Sequence, residues 1–285
     1  MKTVGIIAGG GRVPVLGVRA ARERGWRVHA VALASGLEAA ASGEALPAGD
    51  PCAALAEAGA ECETIPIHEY ERIVAAFTGR GVRDVYILGK VPKTALFQSN
   101  FAPVARRVLS ARAGQGDHPL IEAFVADMGR RGLAVRPQSE LFAQYVVPAG
   151  FGAGRPLTDR EQADVRYGYM VARRLADAAD AGQTVVVKDG IVLALEAAEG
   201  TDATIRRGGQ LGGPGAVVVK VKGRRAIDLE LPAVGLDTVA AMAAAGAAVL
   251  AVEAERVLLL EREATLRRVE ELGIALVTVA GDERS

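Results

Sequence analysis

The residues best suited to chemistry are acids and a lysine that lie among apolar segments in the last third of the chain. Asp228 and Glu230 stand two positions apart, so in an extended segment both carboxylates lie on the same face. Lys220 precedes them at the end of an apolar strand pattern. Magnesium in proteins is held by one or two carboxylates and completes its shell with water and substrate phosphates. The pattern therefore predicts Mg²⁺, or another divalent cation, on Asp228 and Glu230, with Lys220 as a point charge for a phosphate.

A second polar group follows the apolar strand that the pattern predicts over residues 191–197. It comprises Glu199, Gly200, Thr201 and Asp202. Polar residues at the exit of a strand are where α/β proteins tend to place ligand contacts. We therefore predict that these four residues contact substrate, the alternative being that Thr201 and Asp202 simply cap the next helix.

The reaction that fits these residue types is metal-assisted cleavage of a phosphoanhydride. The sequence lacks a Walker loop, a serine-hydrolase elbow and a His-x-x-x-His zinc pattern. A divalent cation can bridge phosphate oxygens, neutralise developing charge and lower the pKa of an attacking water. Phosphoanhydride hydrolysis is therefore favoured over acyl transfer and hydride transfer.

A glycine loop opens the chain. The apolar strand Thr3–Ala8 leads at once into Gly9, Gly10, Gly11 and Arg12, and a helical pattern follows. Strand, glycine loop and helix together present backbone amides and a helix N-terminus to a phosphate, so Gly10, Gly11 and Arg12 are predicted to contact substrate. Pro14 occupies the third glycine position of the dinucleotide fingerprint, and no acid closes the second strand, which disfavours a dehydrogenase. A purely structural turn is the alternative.

A second loop with a basic residue follows the apolar strand predicted over Asp84–Leu88. Lys90 and Val91 come directly after Gly89. Ligands of open α/β sheets bind at the carboxyl ends of the strands. Lys90 and Val91 are therefore predicted to contact substrate, whereas the alternative is a solvated loop.

The order of the elements predicts an α/β chain of two domains, with helices covering parallel sheets in both halves. Residues 1–137 read as a Rossmann-like domain with a parallel sheet, and residues 138–285 as a smaller α/β domain that carries the acids. Asp189-Gly190 between β-branched runs predicts a tight hairpin in the second domain. The pair Thr158 and Glu161 forms a capping box, which predicts that a long helix begins there.

Composition limits the partners. The 285 residues include 34 Lys and Arg and 34 Asp and Glu, so the charge balance does not favour nucleic acid. The longest weakly polar run is too short to span a bilayer, and the N-terminus lacks the layout of a signal peptide, which predicts a soluble chain. A helix predicted over residues 102–112 has a basic side that faces solvent or meets an anionic membrane. Cys52 and Cys62 are interpreted as free thiols of a cytosolic protein, with a disulfide as the alternative.

Taken in order, these motifs resemble those of the two-domain UDP-2,3-diacylglucosamine pyrophosphatases of lipid A synthesis. The resemblance covers essentially the whole chain, and each block is weak alone but specific in sequence. The matching blocks lie at residues 5–11, 89–91, 116–117, 192–197, 199–202, 218–220 and 231–235.

The resemblance implies that the protein hydrolyses UDP-2,3-diacylglucosamine to UMP and 2,3-diacylglucosamine 1-phosphate. It also implies a divalent metal, Mg²⁺ first, and a substrate that lies between two α/β domains. It further implies a cytoplasmic homodimer that is peripheral to the inner face of the cytoplasmic membrane.

The chain departs from the family pattern at two positions. Members usually carry an aspartate directly before the Leu-Pro or Val-Pro pair, where this chain has Glu230 and its nearest aspartate is Asp228. His118 stands where many members place an acid after Asp117. Because displacing a ligand by about 1 Å can cost roughly 10²-fold in rate, two alternatives stay open. One is a catalytically weak nucleotide-sugar-binding or regulatory protein, and the other is a hydrolase of a different UDP-sugar.

Overall fold

A computed structural model of the protein describes residues 1–34, 51–90, 117–178, 182–223 and 229–280. Val91, Asp228 and the helix predicted over 102–112 lie outside the described residues. The chain divides into two compact units. The first contains Met1–Phe142 together with Leu229 and Glu230, and the second contains Ala143–Ala226 and Leu231–Ser285.

The first unit alternates strands and helices, as predicted. Its elements are β1 (Thr3–Ala8), α1 (Val13–Glu23), β2 (Arg27–Ala34), α2 (Pro51–Glu57), β3 (Glu61–Pro66), α3 (Tyr70–Thr78), β4 (Asp84–Leu88), α4 (Asp117–Arg130), β5 (Ala134–Val135) and α5 (Ser139–Phe142). The strands form one sheet in the order β3-β2-β1-β4-β5, and every pairing is parallel. The Rossmann-like parallel sheet is thereby confirmed.

The two cysteines of the first unit are bonded to each other, so the interpretation as free thiols is wrong. Cys52 lies in α2 and Cys62 in β3, which follows it directly. Packing of the helix against the strand brings the two Cα atoms to 5.5 Å, a normal separation for a disulfide. The pairing removes the free-thiol argument for a cytosolic protein.

The second unit is α/β as well. Its elements are β6 (Gly152–Ala153), α6 (Asp159–Ala178), β7 (Thr184–Lys188), β8 (Ile191–Leu195), α7 (Thr201–Gly212), β9 (Val217–Lys220), β10 (Ala233–Val234), α8 (Leu236–Ala245), β11 (Val249–Glu253), β12 (Leu258–Leu259), α9 (Arg262–Glu271) and β13 (Ala275–Val279). Six strands form a sheet in the order β6-β13-β11-β9-β7-β8.

This second sheet is mixed, which corrects the expectation of parallel sheets in both halves. The strands β9, β11 and β13 are parallel, whereas β7 runs antiparallel to both β8 and β9. The predicted hairpin is the cause, because a tight turn at Asp189 (φ 54°) and Gly190 (φ 77°) forces β7 and β8 to run in opposite directions. The buried Asp164 of α6 accepts hydrogen bonds from both turn amides, at 2.8 and 2.7 Å.

Two further expectations for this unit have definite outcomes. The capping box exists, since the Glu161 carboxylate accepts the Thr158 amide at 2.9 Å and the Thr158 hydroxyl accepts the Glu161 amide at 3.3 Å. The apolar strand predicted over residues 191–197 is present as β8, but its apolar composition does not make it a buried strand, because β8 forms an edge of the sheet and Ile191 is 63% exposed. Among the described residues, no helix has the length and apolar composition needed to cross a membrane.

Candidate functional site

The glycine loop and the Lys90 loop of the first unit lie side by side. They follow β1 and β4, which are parallel neighbours, with Ala8 paired to Leu88 at the carboxyl ends of the strands. The Gly10 amide donates to the Lys90 carbonyl at 2.8 Å, and the Lys90 amide donates to the Gly10 carbonyl at 2.9 Å. The structure therefore brings together two of the segments that the sequence predicts to contact substrate.

This junction is built from backbone and depends on glycine. A Cβ atom on Gly9 would lie 2.5 Å from the Lys90 carbonyl oxygen. A Cβ atom on Gly89 would lie 2.6 Å from the Gly10 carbonyl oxygen, and Gly89 also has a φ of 85°, which L side chains rarely adopt. Gly11 and Arg12 are exposed, and α1 begins directly after them. The junction presents the start of α1 to solvent.

The second unit has its own polar edge, at the carboxyl ends of the parallel strands. Lys220 ends β9, and Thr184 at the start of β7 is paired with it. Since β8 runs antiparallel to β7, the end of β8 and the residues after it reach the same edge. Glu196 and Thr201 are therefore brought to Lys220.

These four residues form what we call the Lys220 cluster: Thr184, Glu196, Thr201 and Lys220. The Lys220 ammonium donates to Thr201 Oγ1 at 2.6 Å, and the Thr201 hydroxyl donates to Glu196 Oε1 at 3.0 Å. Lys220 is 7% exposed, and Thr184 and Thr201 are also buried. An ammonium and a carboxylate are thus joined through one hydroxyl at the edge of the sheet.

Electrostatics keep Glu196 ionised. Burial by itself would raise the pKa of its carboxyl, because a low-dielectric environment disfavours the charged form. The Lys220 ammonium outweighs that effect, together with hydrogen bonds from the Thr184 hydroxyl, the Gln183 amide and the Thr201 hydroxyl, and the pKa lies below its ordinary value. The cluster therefore stabilises the ionised form of Glu196 beside Lys220.

The segment 199–202 divides its roles. Gly200, which has no side chain, is the N-cap of α7. The Thr201 hydroxyl donates to Glu196 and does not cap the helix. Glu199 Oε1 pairs with Arg207 of α7 at 2.5 Å, and Glu199 Oε2 accepts the Ala197 amide at 3.1 Å. The carboxylate of Glu199 is therefore used in local contacts. Asp202 lies partly buried in the first turn of α7. Within this segment, Thr201 contacts Lys220 directly.

A second buried charge pair occurs at the same edge of the sheet. The Glu253 cluster consists of Tyr169, Arg173, Lys222 and Glu253. Arg173 Nη1 lies 3.2 Å from Glu253 Oε2, and the two side chains are 11% and 9% exposed. The carboxylate accepts the Lys222 amide at 2.8 Å, and Arg173 also donates to the Lys222 carbonyl. One buried pair therefore holds both backbone polar groups of Lys222.

Sequence reasoning missed this cluster. Glu253 ends an apolar strand, as Lys220 does, and that position was a usable signal. Arg173 lies 80 residues earlier in a helix with many polar residues, so no local pattern distinguishes it.

The assignment of Asp228 and Glu230 as metal ligands stays a prediction. Glu230 is exposed and is grouped with the first unit, whereas Asp228 lies outside the described residues. The part of the chain that the structure describes holds no group of three or more His, Cys, Asp or Glu side chains arranged to bind a metal ion. Magnesium that is completed by water and phosphate needs only one or two carboxylates, so the donor types of Asp228 and Glu230 are compatible with it.

The fold defines a two-domain α/β protein. The carboxyl edge of the first sheet is held by backbone hydrogen bonds, and that of the second sheet by contacts between charged and polar side chains. The family model of the LpxI N-terminal domain matches residues 3–145, and that of the LpxI C-terminal domain matches residues 148–277. The chain is 30% identical to the UDP-2,3-diacylglucosamine pyrophosphatase LpxI of Caulobacter vibrioides, and the alignment covers 100% of both chains. The chain belongs to the LpxI family.

Solved structures with a distant likeness cover less of the chain. N5-carboxyaminoimidazole ribonucleotide synthetase from Thermotoga maritima matches 69% of this chain and 41% of its own, with 12% identity and a TM-score of 0.26. The biotin carboxylase domain of Hydrogenobacter thermophilus 2-oxoglutarate carboxylase matches 67% of this chain and 35% of its own, with 14% identity and a TM-score of 0.27. The chain therefore spans less than half of either solved structure.

Proposed function

We propose that the protein hydrolyses the diphosphate of UDP-2,3-diacylglucosamine and releases UMP and 2,3-diacylglucosamine 1-phosphate, a step in the synthesis of lipid A. The observation that carries this proposal is the full-length relationship to a protein named for that activity. The prediction from the residues alone, phosphoanhydride cleavage, names the same reaction type independently of that relationship.

The two polar edges support this proposal because each suits an anionic substrate. At the first, the exposed turn of Gly11 and Arg12 precedes the N-terminus of α1, where helix amides and the helix dipole favour an anion. Lys90 is exposed beside this turn. At the second, Lys220 contributes a cation whose position is fixed by Thr201. We assign substrate contacts to these residues and to Gly10, Val91 and the segment 199–202.

We further propose that the carboxylates of Asp228 and Glu230 hold Mg²⁺ or another divalent cation. Bound there, the metal would supply charge neutralisation at the phosphate oxygens and a more acidic water. The support is the donor chemistry of two carboxylates separated by one residue.

Glu230 motivates the second candidate function. A nucleotide-sugar-binding or regulatory protein with weak catalysis would keep the substrate contacts while the longer acid displaces the metal. A hydrolase of a different UDP-sugar would keep the catalysis and differ in the lipid contacts. Dimerisation, a cytoplasmic location and peripheral contact with the membrane are proposals that rest on the family resemblance.

One experiment separates these functions. Purified protein is incubated with UDP-2,3-diacylglucosamine and Mg²⁺, and UMP is measured by chromatography, with EDTA as the metal control and unacylated UDP-sugars as the substrate control. We expect UMP from the lipidated substrate alone, and none with EDTA. Tight binding without UMP would favour the regulatory protein, and equal UMP from unacylated sugars would favour the other hydrolase.

A further inference from the structure

Glu196 lies at the centre of a hydrogen-bond network that links three strands and one helix of the second unit. It follows β8 directly, and its Oε1 accepts the hydroxyl of Thr201, the first residue of α7. Its Oε2 accepts the amide of Gln183, just before β7, at 3.1 Å. Thr201 in turn accepts the ammonium of Lys220, at the end of β9. The hydrogen bonds therefore link the ends of two strands, the start of a third and the start of a helix.

The surrounding backbone makes this arrangement rigid. The Glu196 amide donates to the Thr184 carbonyl at 2.9 Å, and the Val221 amide donates to the Gln183 carbonyl at 2.9 Å. The carboxylate and the ammonium thus project from backbone that is fixed by the sheet on both sides. Side chains held in this way keep one geometry, which is what the precise placement of a charge requires.

Charge balance gives Glu196 a second effect on Lys220. A buried ammonium is costly unless a negative charge lies near it. Glu196 provides such a charge, and the Thr201 hydroxyl is hydrogen-bonded to both groups. Removing the negative charge would leave the buried Lys220 ammonium less well compensated at this edge.

We infer that Glu196 is a positioning residue, which fixes the Thr201 hydroxyl and the Lys220 ammonium as one unit at the carboxyl edge of the second sheet. The inference rests on the proposed function for its catalytic consequence, but its structural consequence does not. Glu196 acts on the substrate only through Thr201 and Lys220. It was not among the residues that the sequence predicted to contact substrate.

The test compares Glu196→Gln with the control Asp164→Asn. Both changes convert an acid into an isosteric amide, remove one charge and affect a carboxylate that is hydrogen-bonded to residues of the same unit. Asp164 holds the Asp189-Gly190 turn at the other end of β7 and β8, away from Lys220. A general loss of stability would affect both variants, whereas a loss of positioning would affect Glu196→Gln alone.

Hydrogen exchange gives the readout that is independent of activity. We expect Glu196→Gln to speed exchange of the Thr204 amide in the first turn of α7, which donates to the Gly200 carbonyl at 3.1 Å, by about tenfold, the loss of roughly one hydrogen bond to a charged group. Asp164→Asn should leave that turn unchanged. Equal exchange of this turn in the wild type and Glu196→Gln overturns the inference, whether or not the protein hydrolyses the lipid.

Kinetics give the catalytic readout. Glu196→Gln should lower kcat/KM by roughly tenfold, because the Thr201 hydroxyl and the Lys220 ammonium would be less precisely placed, whereas Asp164→Asn should leave kcat/KM nearly unchanged. An unchanged kcat/KM in Glu196→Gln, or an equal loss in Asp164→Asn, contradicts the inference. If the wild type releases no UMP, the proposed function fails, and the exchange result alone decides the positioning role.

Substitutions at Thr201 protect the test against a variant that does not fold. Thr201→Ser keeps the hydroxyl and should retain nearly wild-type exchange and kcat/KM, while Thr201→Val should reproduce the effects of Glu196→Gln. The double variant Glu196→Gln/Thr201→Val should lose little more than either single variant, because both act on one hydrogen-bonded chain. Fully additive losses would show that the two residues act separately and would overturn the inference.

Discussion

The carboxyl edges of the two sheets are built in different ways. In the first unit, Gly10 and Lys90 are joined by their backbones, and close approach is possible because Gly9 and Gly89 carry no Cβ. In the second unit, charged side chains make the contacts. Glu196 is linked to Lys220 through the Thr201 hydroxyl, and Arg173 pairs with Glu253. The difference teaches that the first edge should be sensitive to any added side chain, and the second to any removed charge.

The largest effect should come from breaking the buried charge pair. Glu253→Ala leaves the buried Arg173 with Asp177 as its remaining carboxylate partner, and it removes the acceptor of the Lys222 amide. Breaking a buried pair in this way costs about 3–5 kcal/mol, so the free energy of unfolding in denaturant should fall by that order.

An exposed pair is the matched control for this prediction. Arg268 and Glu271 lie 2.8 Å apart with side chains 49% and 60% exposed. Glu271→Ala should lower the free energy of unfolding by no more than about 1 kcal/mol. If the two alanine variants lose the same stability, burial of charge does not distinguish the second edge.

An intermediate effect should come from crowding the first edge. Gly89→Ala adds a Cβ that would lie 2.6 Å from the Gly10 carbonyl oxygen and forces alanine to a φ of 85°. We expect a loss of about 2–3 kcal/mol, which thermal unfolding would detect as a lower Tm.

Gly81→Ala separates the two causes of that loss. Gly81 has a φ of 69°, but its Cβ would meet nothing within 4 Å. It should lose only the cost of the backbone conformation, about 1 kcal/mol. Equal losses at Gly81 and Gly89 would mean that the close approach of the two loops contributes nothing.

The smallest effect should come from a charge pair outside both edges. Arg155 bonds to Glu161 at the start of α6, and these bonds, with the Thr158 amide, lower the pKa of Glu161 to about 2 against the effect of burial. A lowered pKa in the folded state stabilises the protein above the unfolded pKa of about 4.3, and that stability is lost as pH falls towards 2. Glu161→Gln should therefore lower stability at pH 7 by about 1 kcal/mol.

The pH dependence checks that prediction. The difference in the free energy of unfolding between wild type and Glu161→Gln should be constant above about pH 5 and shrink between roughly pH 4.3 and 2. A difference that stays constant down to pH 2 would show that the ionised carboxylate is not what stabilises this helix start.

The first unit could be predicted closely from the sequence because its signals are local. The strands Thr3–Ala8 and Asp84–Leu88 have the predicted bounds, since apolar runs and breaks in the pattern lie next to each other in the chain. The backbone bridge between Gly10 and Lys90 could be anticipated only in outline, as two loops at the ends of parallel strands.

The second edge depends on pairing over long distances in sequence, and local patterns do not specify it. Lys220 meets Thr201 because β7 pairs antiparallel with β9 and returns through β8, an arrangement that the expected parallel sheet would not give. Arg173 meets Glu253 across 80 residues because α6 packs against the sheet. Lys220 and Thr201 were predicted one by one from residue type and position, whereas their direct contact was not.

The central claim is that the charged edge of the second unit serves the hydrolysis of a lipidated nucleotide sugar. The most direct measurement is release of UMP from UDP-2,3-diacylglucosamine by the wild type and by Lys220→Met, with Lys188→Met as control. Lys188 donates to the Gly212 carbonyl at the end of α7, so it is a structural lysine of the same unit. We predict UMP from the wild type and from Lys188→Met, and kcat/KM lowered by about 100-fold in a folded Lys220→Met. No UMP from the wild type, or equal rates for the two lysine variants, would contradict the claim.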